Sequence, residues 1–130
     1  MDTDRINSVS RVIIGNAFVV SNTLGIGFLE KIYENALAYE LRAAGVAVRQ
    51  QHDIAVYYCS TVIGAYTADL LVEDSVLVEL KAVKALDEIH AAQCMNYLKA
   101  TRLPLCLLLN FGHSRVQIQR LAGETLRSRG

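Results

Sequence analysis

The sequence predicts one α/β domain in which helices flank a mixed β-sheet, with its elements in the order α-α-β-β-β-α-β-β. Apolar residues recur every three or four positions over residues 4–20 and 28–44, which is the repeat of an amphipathic helix. Residues 46–83 are instead rich in β-branched and aromatic residues separated by short polar turns. A third helical segment and a fully apolar strand follow, and layered α/β packing buries such a combination.

Composition supports a single folded domain over residues 1–130. The chain is 52% hydrophobic and 20% charged, which is typical of an ordered globular protein. Its 13 basic residues balance 13 acidic residues, so any contact with nucleic acid must come from a local patch or an oligomer. The three cysteines form no CxxC pair, which argues against a zinc knuckle or a disulfide framework. No apolar run is long enough for a membrane span, so we expect a cytoplasmic protein.

Capping and breaking residues set the expected boundaries of these elements. Thr3 is the expected cap of the first helix, Gly27 is the expected N-cap of the second, and Gly45 stops that helix. Asp87 caps the third helix. The predicted elements are helices over residues 1–24, 28–44 and 88–100, strands over residues 46–50, 54–58, 62–72, 76–83, 105–111 and 116–121, and a polar tail over residues 122–130 that frays.

A carboxylate and an ammonium group share one face of a predicted strand. Alternation along residues 76–81 sends Glu79 and Lys81 to the same face. The preceding strand carries Asp69 among apolar neighbours, where burial disfavours a charge. If residues 73–75 form a three-residue hairpin loop, Asp69 falls directly opposite Glu79. Two like charges at this separation are unfavourable unless a cation lies between them.

Such a pair of carboxylates suits a hard divalent cation. Mg²⁺ and Mn²⁺ select carboxylate oxygens and can activate a bound water for attack on a phosphodiester. Lys81, beside the cation, can orient that water or stabilise the charge of the transition state. The alternative is a structural salt bridge between Lys81 and Glu79 or Asp69, because Glu-x-Lys also occurs often by chance.

Two helices add polar side chains to faces that are expected to be buried. Glu30 projects onto the apolar arc of the second helix, although an acid in the first turn also favours the helix dipole and can close a capping box. In the third helix, His90, Gln93 and Tyr97 lie along one stripe with Leu86. The alternative is that this stripe is an ordinary polar helix face.

Taken together, these segments resemble a known family. Residues 27–33 read GFLEKIY and match a GxxExxY motif, and the chain is similar to the GxxExxY-type family of PD-(D/E)XK nucleases. Further similar blocks stand in the family's order: YTADLLV at 66–72, VELKA at 78–82, HAAQ at 90–93, NYL at 96–98 and LLNFG at 108–112. The family often has arginine where this chain has Thr67. The resemblance covers most of the chain and implies a restriction-endonuclease-like sheet flanked by helices.

The resemblance also implies a metal site of the kind found in RecB-like and phage exonucleases. It implies Glu30, Asp69 and Glu79 as ligands of Mg²⁺ or Mn²⁺, together with the backbone carbonyl of Leu80. Lys81 is the implied catalytic base or electrostatic stabiliser.

Further site residues follow from the same resemblance. Gln93, counted among the catalytic residues, and Tyr97, counted among the substrate-binding residues, are each implied either to support the metal ligands or to contact the phosphate. We also predict that Tyr33, His90 and Lys84 contact the substrate.

Two functions of different classes remain open from the sequence. The first is a divalent-metal-dependent nuclease that cleaves DNA, and the second is a catalytically inactive binding or scaffold domain of a repair or defence complex. A hydrolase of small phosphorylated substrates is less favoured, because no glycine-rich phosphate loop is present. An enzyme needs basic residues beside the acidic cluster, from the set Arg49, Lys84, Lys99, Arg102 and Arg115. A homodimer is also expected, since it would present two sites.

Overall fold

A computed structural model describes residues 2–127 of the chain. The predicted order α-α-β-β-β-α-β-β is confirmed, with the predicted segments 46–50 and 54–58 forming one strand, and one short helix follows. The elements are α1 (Thr3–Leu24), α2 (Glu30–Ala43), β1 (Val48–Tyr58), β2 (Thr61–Val72), β3 (Val76–Lys81), α3 (Glu88–Thr101), β4 (Leu105–Asn110), β5 (Gln117–Ala122) and α4 (Glu124–Arg127). Within residues 2–127, no helix has the length and apolar character needed to cross a membrane.

The five strands form one mixed sheet in the order β1-β2-β3-β4-β5. β3 and β4 are parallel and are joined through α3, whereas the other neighbouring strands are antiparallel. The predicted hairpin register is confirmed, because Val72 pairs with Val76 across the loop formed by residues 73–75. Parallel pairing requires a crossover connection, which explains why a helix lies between β3 and β4.

Helices cover both faces of the sheet. α1 and α2 pack on one face against Val78, Leu80 and the other apolar residues of one core. α3 packs on the opposite face, where Leu77 and Leu108 belong to a second core. All residues of β4 are buried, and its run of apolar residues predicted such a central position in the sheet. Alternation along β3 therefore sends Glu79 toward α3.

The polar segment after residue 50 was expected to be a turn, and this prediction is wrong. β1 runs without interruption through it and pairs with β2 from Val48 to Tyr58. Within this segment, Gln51 is in the left-handed region, with φ of 56°. Pairing with a long partner strand therefore overrides the local turn composition, at the cost of one residue in the left-handed region.

The helix starts also differ from the predicted ones. Asp2, not Thr3, caps α1, because its Oδ1 accepts hydrogen bonds from the N–H groups of Asp4 and Arg5 at 3.0 and 3.2 Å. α2 begins at Glu30, two residues later than predicted, with no side-chain cap at its N-terminus. Gly27, which has φ of 106°, lies in the preceding loop instead of at the N-cap.

The end of α2 agrees with the prediction, whereas the C-terminal segment does not. Gly45 follows α2 with φ of 80°, as predicted for a residue that ends a helix. The tail was expected to fray, but Leu126 of α4 is buried and the Gly123 N–H donates to the Pro104 carbonyl at 2.7 Å. The buried Leu126 side chain anchors this segment, and the polar composition of the segment gave no sign of it. Residues 128–130 lie outside the described residues.

Tyr33 was expected to contact the substrate, and the structure shows that this is wrong. Its side chain is fully buried and stacks on Phe111, with the ring centroids 4.8 Å apart. The hydroxyl donates to the Gly25 carbonyl at 2.6 Å and accepts from the Phe28 N–H at 3.3 Å. Tyr33 therefore holds the loop between α1 and α2 and has no surface available for a ligand.

We predict that Tyr33→Phe lowers the free energy of unfolding by about 1 kcal/mol, because it removes two partly buried hydrogen bonds to the backbone of the loop. The measurement is urea unfolding followed by far-UV circular dichroism. The matched control is Tyr39→Phe, which removes the same hydroxyl from a ring on α2 that is 71% exposed, and should change stability by less than about 0.5 kcal/mol. Equal effects of the two substitutions would contradict the anchoring role.

Candidate functional site

β2 and β3 separate at the residues predicted to form the site. Their ladder runs from the Val72–Val76 pair to the Leu70–Val78 pair and ends there. Beyond it, the Leu80 N–H donates to Asp69 Oδ2 at 2.8 Å, and the Asp69 N–H lies 3.4 Å from Glu79 Oε1. Side-chain carboxylates thus replace the carbonyl acceptors of the ladder. We call this point, formed by Asp69, Glu79, Leu80 and Lys81, the fork.

Glu79 is an acid buried in the centre of the sheet. Its side chain accepts from the Tyr97 hydroxyl at 3.2 Å, and the Lys81 Nζ lies 3.6 Å from the same carboxylate oxygen. The pKa of Glu79 is raised to about 7, first by burial and then by the negative charge of Asp69, while Lys81 opposes both effects. The salt bridge considered as the alternative is therefore present, but it does not offset the cost of placing two acids together.

Tyr97 supports the fork from α3. Its hydroxyl is 3.2 Å from Glu79 Oε2 and 3.3 Å from the Thr67 carbonyl, and its side chain is 1% exposed. Burial and the adjacent negative charge of Glu79 raise the pKa of Tyr97 well above its usual range. The hydroxyl therefore keeps its proton and acts as a hydrogen-bond donor. Its burial beneath Glu79 favours the first of its two predicted roles, support of a metal ligand, over contact with the phosphate.

A third acid near the fork, Glu34, was not predicted. It lies one turn into α2, is 3% exposed, and accepts hydrogen bonds from Lys31 at 3.0 Å and from Gln50 at 2.7 Å. Gln51 Nε2 lies 2.7 Å from Glu34 Oε1 and 3.3 Å from Asp69 Oδ1. One amide group thus joins the acid on α2 to the acid at the fork.

Gln51 reaches both acids because its backbone is in the left-handed region. Its φ of 56° falls in the middle of β1, where Gln50 pairs with Leu70 and His52 pairs with Ala68. Such a conformation is uncommon for a residue other than glycine and is maintained by its surroundings. The two N–H groups of the amide serve two carboxylates, which lessens the repulsion between them.

Glu30, the predicted helical ligand, lies elsewhere. It is the exposed first residue of α2, one turn before Glu34 on the same helix face. Periodicity alone does not separate these two acids, because both fall in the apolar arc. The predicted start of α2 placed Glu30 deeper in the helix than it is, whereas the structure brings Glu34 to Asp69.

The remaining predicted residues lie around α3 and the following turn. Gln93 is half-buried on α3, on the side of the helix next to Tyr66. His90 closes the capping box of α3, since its Nδ1 accepts from the Asp87 N–H at 3.0 Å. Lys84 is exposed, and its carbonyl contacts the ring of His113. The capping contact gives His90 a structural role beside the substrate contact that was predicted for it.

Comparison with known proteins supports the fold and identifies the superfamily. A protein-family model described as the PD-(D/E)XK nuclease superfamily matches residues 7–121. The chain belongs to the PD-(D/E)XK nuclease superfamily. No curated protein matches the sequence significantly.

Two solved structures show the same fold. An alkaline exonuclease from Laribacter hongkongensis matches over 98% of this chain and 74% of its own, with a TM-score of 0.54 and 14% identity. The protein SSO0001 matches over 72% of this chain, with a TM-score of 0.59 and 14% identity. The chain covers 50% of the length of SSO0001. Identity at this level shows a shared fold, and the superfamily membership rests on the family match.

The donor set at the fork suits the divalent cations that PD-(D/E)XK nucleases typically use. Asp69 and Glu79 offer hard carboxylate oxygens, and their repulsion is of the kind that a cation relieves. Within residues 2–127, no three His, Cys, Asp or Glu side chains converge as a metal cluster. Mg²⁺ needs only one or two carboxylates, because it keeps several waters. The fork therefore fits such a cation, with Glu34 held at its edge by Gln51.

We predict that Glu79→Gln stabilises the metal-free protein at alkaline pH. The folded-state pKa of about 7 lies above the usual value of 4.5, so the folded state favours the neutral carboxyl. The stability of that neutral form is complete below the unfolded pKa and is lost as pH rises through 7. Glutamine stays neutral, so its advantage should reach up to about 3 kcal/mol at pH 8 and vanish near pH 4.

The measurement is chemical unfolding of both proteins in EDTA at the two pH values. The control is Glu88→Gln, at an exposed acid of α3, which should give no comparable difference between the two pH values. A wild-type protein more stable than Glu79→Gln at pH 8 would show that Lys81 and Tyr97 favour the charged carboxylate more strongly than burial and Asp69 disfavour it.

Proposed function

We propose that the fork binds Mg²⁺ or Mn²⁺ and that the protein hydrolyses phosphodiester bonds of DNA. The observation that carries this proposal is the convergence of Asp69, Glu79 and Lys81 where β2 leaves β3, with Glu79 destabilised by its neighbour in the absence of a cation. Membership of the PD-(D/E)XK superfamily, and a neighbour in fold that is named an alkaline exonuclease, favour a nuclease.

Three groups would hold the cation: the Asp69 and Glu79 carboxylates and the Leu80 carbonyl. The Leu80 N–H points toward Asp69, and the N–H and C=O of one strand residue point to the same side, so its carbonyl faces the fork. The β2–β3 ladder ends before this residue and does not use that carbonyl. A divalent cation there would act as a Lewis acid and lower the pKa of bound water.

Lys81 is the proposed catalytic residue. Its side chain is 19% exposed, so its ammonium reaches both Glu79 and the open side of the fork. There it can orient an attacking water or stabilise negative charge on the phosphorus oxygens as the bond breaks. Gln93 lies on the neighbouring helix face and is the proposed polar contact for the phosphate, while Tyr97 fixes the orientation of Glu79.

Glu34 is our proposed helical acid of the metal site in place of Glu30. It is buried, and Gln51 connects it to Asp69 by one amide. Its carboxylate can accept hydrogen bonds from waters of a hydrated cation once the amide turns away. Outer groups of this kind orient the direct ligands and commonly change metal affinity by about 10- to 100-fold.

We predict that Lys81→Ala abolishes metal-dependent cleavage of DNA but keeps metal binding, because the lysine acts on the reaction and not on the cation. Asp69→Asn should lose both. Mn²⁺ and Mg²⁺ titrations by calorimetry and cleavage assays on single-stranded and duplex DNA give the two readouts. Full cleavage by Lys81→Ala would exclude the mechanism. A wild-type protein that binds no metal would instead support the non-catalytic scaffold role.

We further predict that Glu34→Gln weakens Mn²⁺ affinity by about 10-fold or more, since it removes a negative charge next to the site. The matched control is Glu30→Gln, which makes the same change one turn away on the same helix face and should alter affinity by less than about twofold. Calorimetric titration compares the two variants. Loss of affinity in Glu30→Gln alone would restore Glu30 as the helical ligand and overturn the assignment of Glu34.

A further inference from the structure

Lys99 and Arg102, at the C-terminal end of α3, differ from most other described cations of the chain in the contacts that their side chains make. Most of the other described arginine and lysine side chains make ion pairs, hydrogen bonds or a ring contact, as in Arg5 with Glu73, Lys31 with Glu34, Arg42 with Gln50, Arg49 with Asp74, Arg115 with Phe18 and Arg120 with Asn7. Within residues 2–127, the Lys99 and Arg102 side chains make no ion pair with an acid, although Glu124 lines a neighbouring cavity with both of them. The two cations also line a further cavity.

That cavity lies between α3 and the outer part of the β1–β2 hairpin. Its volume is about 510 Å³, and two tyrosines, Tyr57 and Tyr66, line it together with Asn96 and the two cations. Tyr57 is 64% exposed. The pairing of β1 with β2 shifts register between Val56 and Tyr57, and such irregularities re-aim side chains. The hairpin thus presents a large exposed ring on the side where the cations lie.

The cavity continues toward the fork. A second cavity of about 370 Å³ shares Tyr66 and Asn96 with the first and is also lined by Gln93. Tyr66 packs edge-on against Tyr97 at 5.4 Å, and the Tyr97 hydroxyl contacts Glu79. We call the continuous surface formed by Tyr57, Tyr66, Gln93, Asn96, Lys99 and Arg102 the α3 groove. Tyr66 of the α3 groove therefore contacts Tyr97, the residue that supports Glu79 at the fork.

We propose that the α3 groove binds single-stranded DNA and leads the strand to the fork, an inference that rests on the proposed function for its choice of ligand. Exposed aromatic rings beside cations are the usual means of holding unpaired nucleotides, because bases stack on the rings and phosphates meet the charges. Along α3, Gln93 and Arg102 are separated by roughly 14 Å, which gives room for a few nucleotides. A duplex keeps its base faces covered and cannot use Tyr57 in this way.

The position of the cations has another explanation, which the experiment must separate. Lys99 is in the last turn of α3 and Arg102 is its C-cap, where positive charge favours the helix dipole. This accounts for two charges but not for the two tyrosines and the Asn96 amide on the same surface. A role confined to the dipole changes the stability of the protein and leaves DNA affinity unaltered at temperatures well below unfolding.

The test is fluorescence anisotropy of a labelled 12-nucleotide oligothymidylate with the full chain in EDTA, so that neither cleavage nor metal binding affects the result. Lys99→Ala with Arg102→Ala should weaken binding about 10-fold or more and lower the salt dependence by one to two phosphate contacts. Tyr57→Leu should weaken it about fivefold or more. Arg11→Ala and Tyr39→Leu remove the same groups from exposed positions on α1 and α2, across the sheet, and should bind like wild type.

A 12-base-pair duplex and thermal melting of every variant complete the design. The inference holds if the single strand binds more tightly than the duplex and the groove variants lose affinity while they remain folded at the assay temperature. Wild-type affinity in the groove variants, a preference for duplex, or no binding to the single strand overturns it. Loss of the proposed metal chemistry leaves this binding in EDTA intact, so the two failures can be told apart.

Discussion

Repulsion between Asp69 and Glu79 is the constraint on which the arrangement around the fork depends. Both acids lie where the sheet is covered by helices, and a buried charge costs several kcal/mol unless it is paired or hydrogen-bonded. The compensating contacts come from three elements: Tyr97 from α3, Lys81 from β3 and Gln51 from β1. Because these contacts do not remove the cost, the pKa of Glu79 remains raised.

The backbone is shaped by the same pair of acids. Asp69 accepts the Leu80 N–H with its side chain, so β2 no longer presents its own carbonyl there and moves away from β3. On the other side of β2, Gln51 takes a left-handed conformation opposite the same aspartate. Two departures from regular strand geometry therefore flank Asp69, and each one frees a polar group to face the fork. Strain concentrated in this way is typical of functional sites.

The sequence predicted those features that depend on local counting. A three-residue loop and strict alternation determine that Asp69 and Glu79 come together, and neither step requires knowledge of the rest of the fold. The helical acid could not be identified by counting alone, because Glu30 and Glu34 lie on one helix face. Only the observed start of α2 distinguishes them. Helix starts without a side-chain cap leave little signal in a sequence, and α2 has none.

Other features could not be read from the sequence because they are tertiary. Tyr33 is a buried anchor because its hydroxyl meets a loop that precedes its own helix. Gln51 lies in a segment whose polar composition favours a turn, and its contact with two acids depends on α2 and β2 together. The grouping of Lys99 and Arg102 with Tyr57 likewise depends on how far the hairpin extends over α3. Composition gave a net charge of zero and no indication of where the charges meet.

The separation of charges within this neutral chain has a consequence for the order of binding in the proposed function. Acids are concentrated at the fork and unpaired cations at the far end of the α3 groove, so a polyanion is attracted to the groove and repelled from the fork. Screening limits each effect to about 10 Å, which is comparable to the length of the groove. A divalent cation at the fork would make the local electrostatic potential less negative. Under the proposed function, DNA would therefore occupy the groove before a metal ion binds, and the scissile phosphate would approach Lys81 only after the acids of the fork were neutralised.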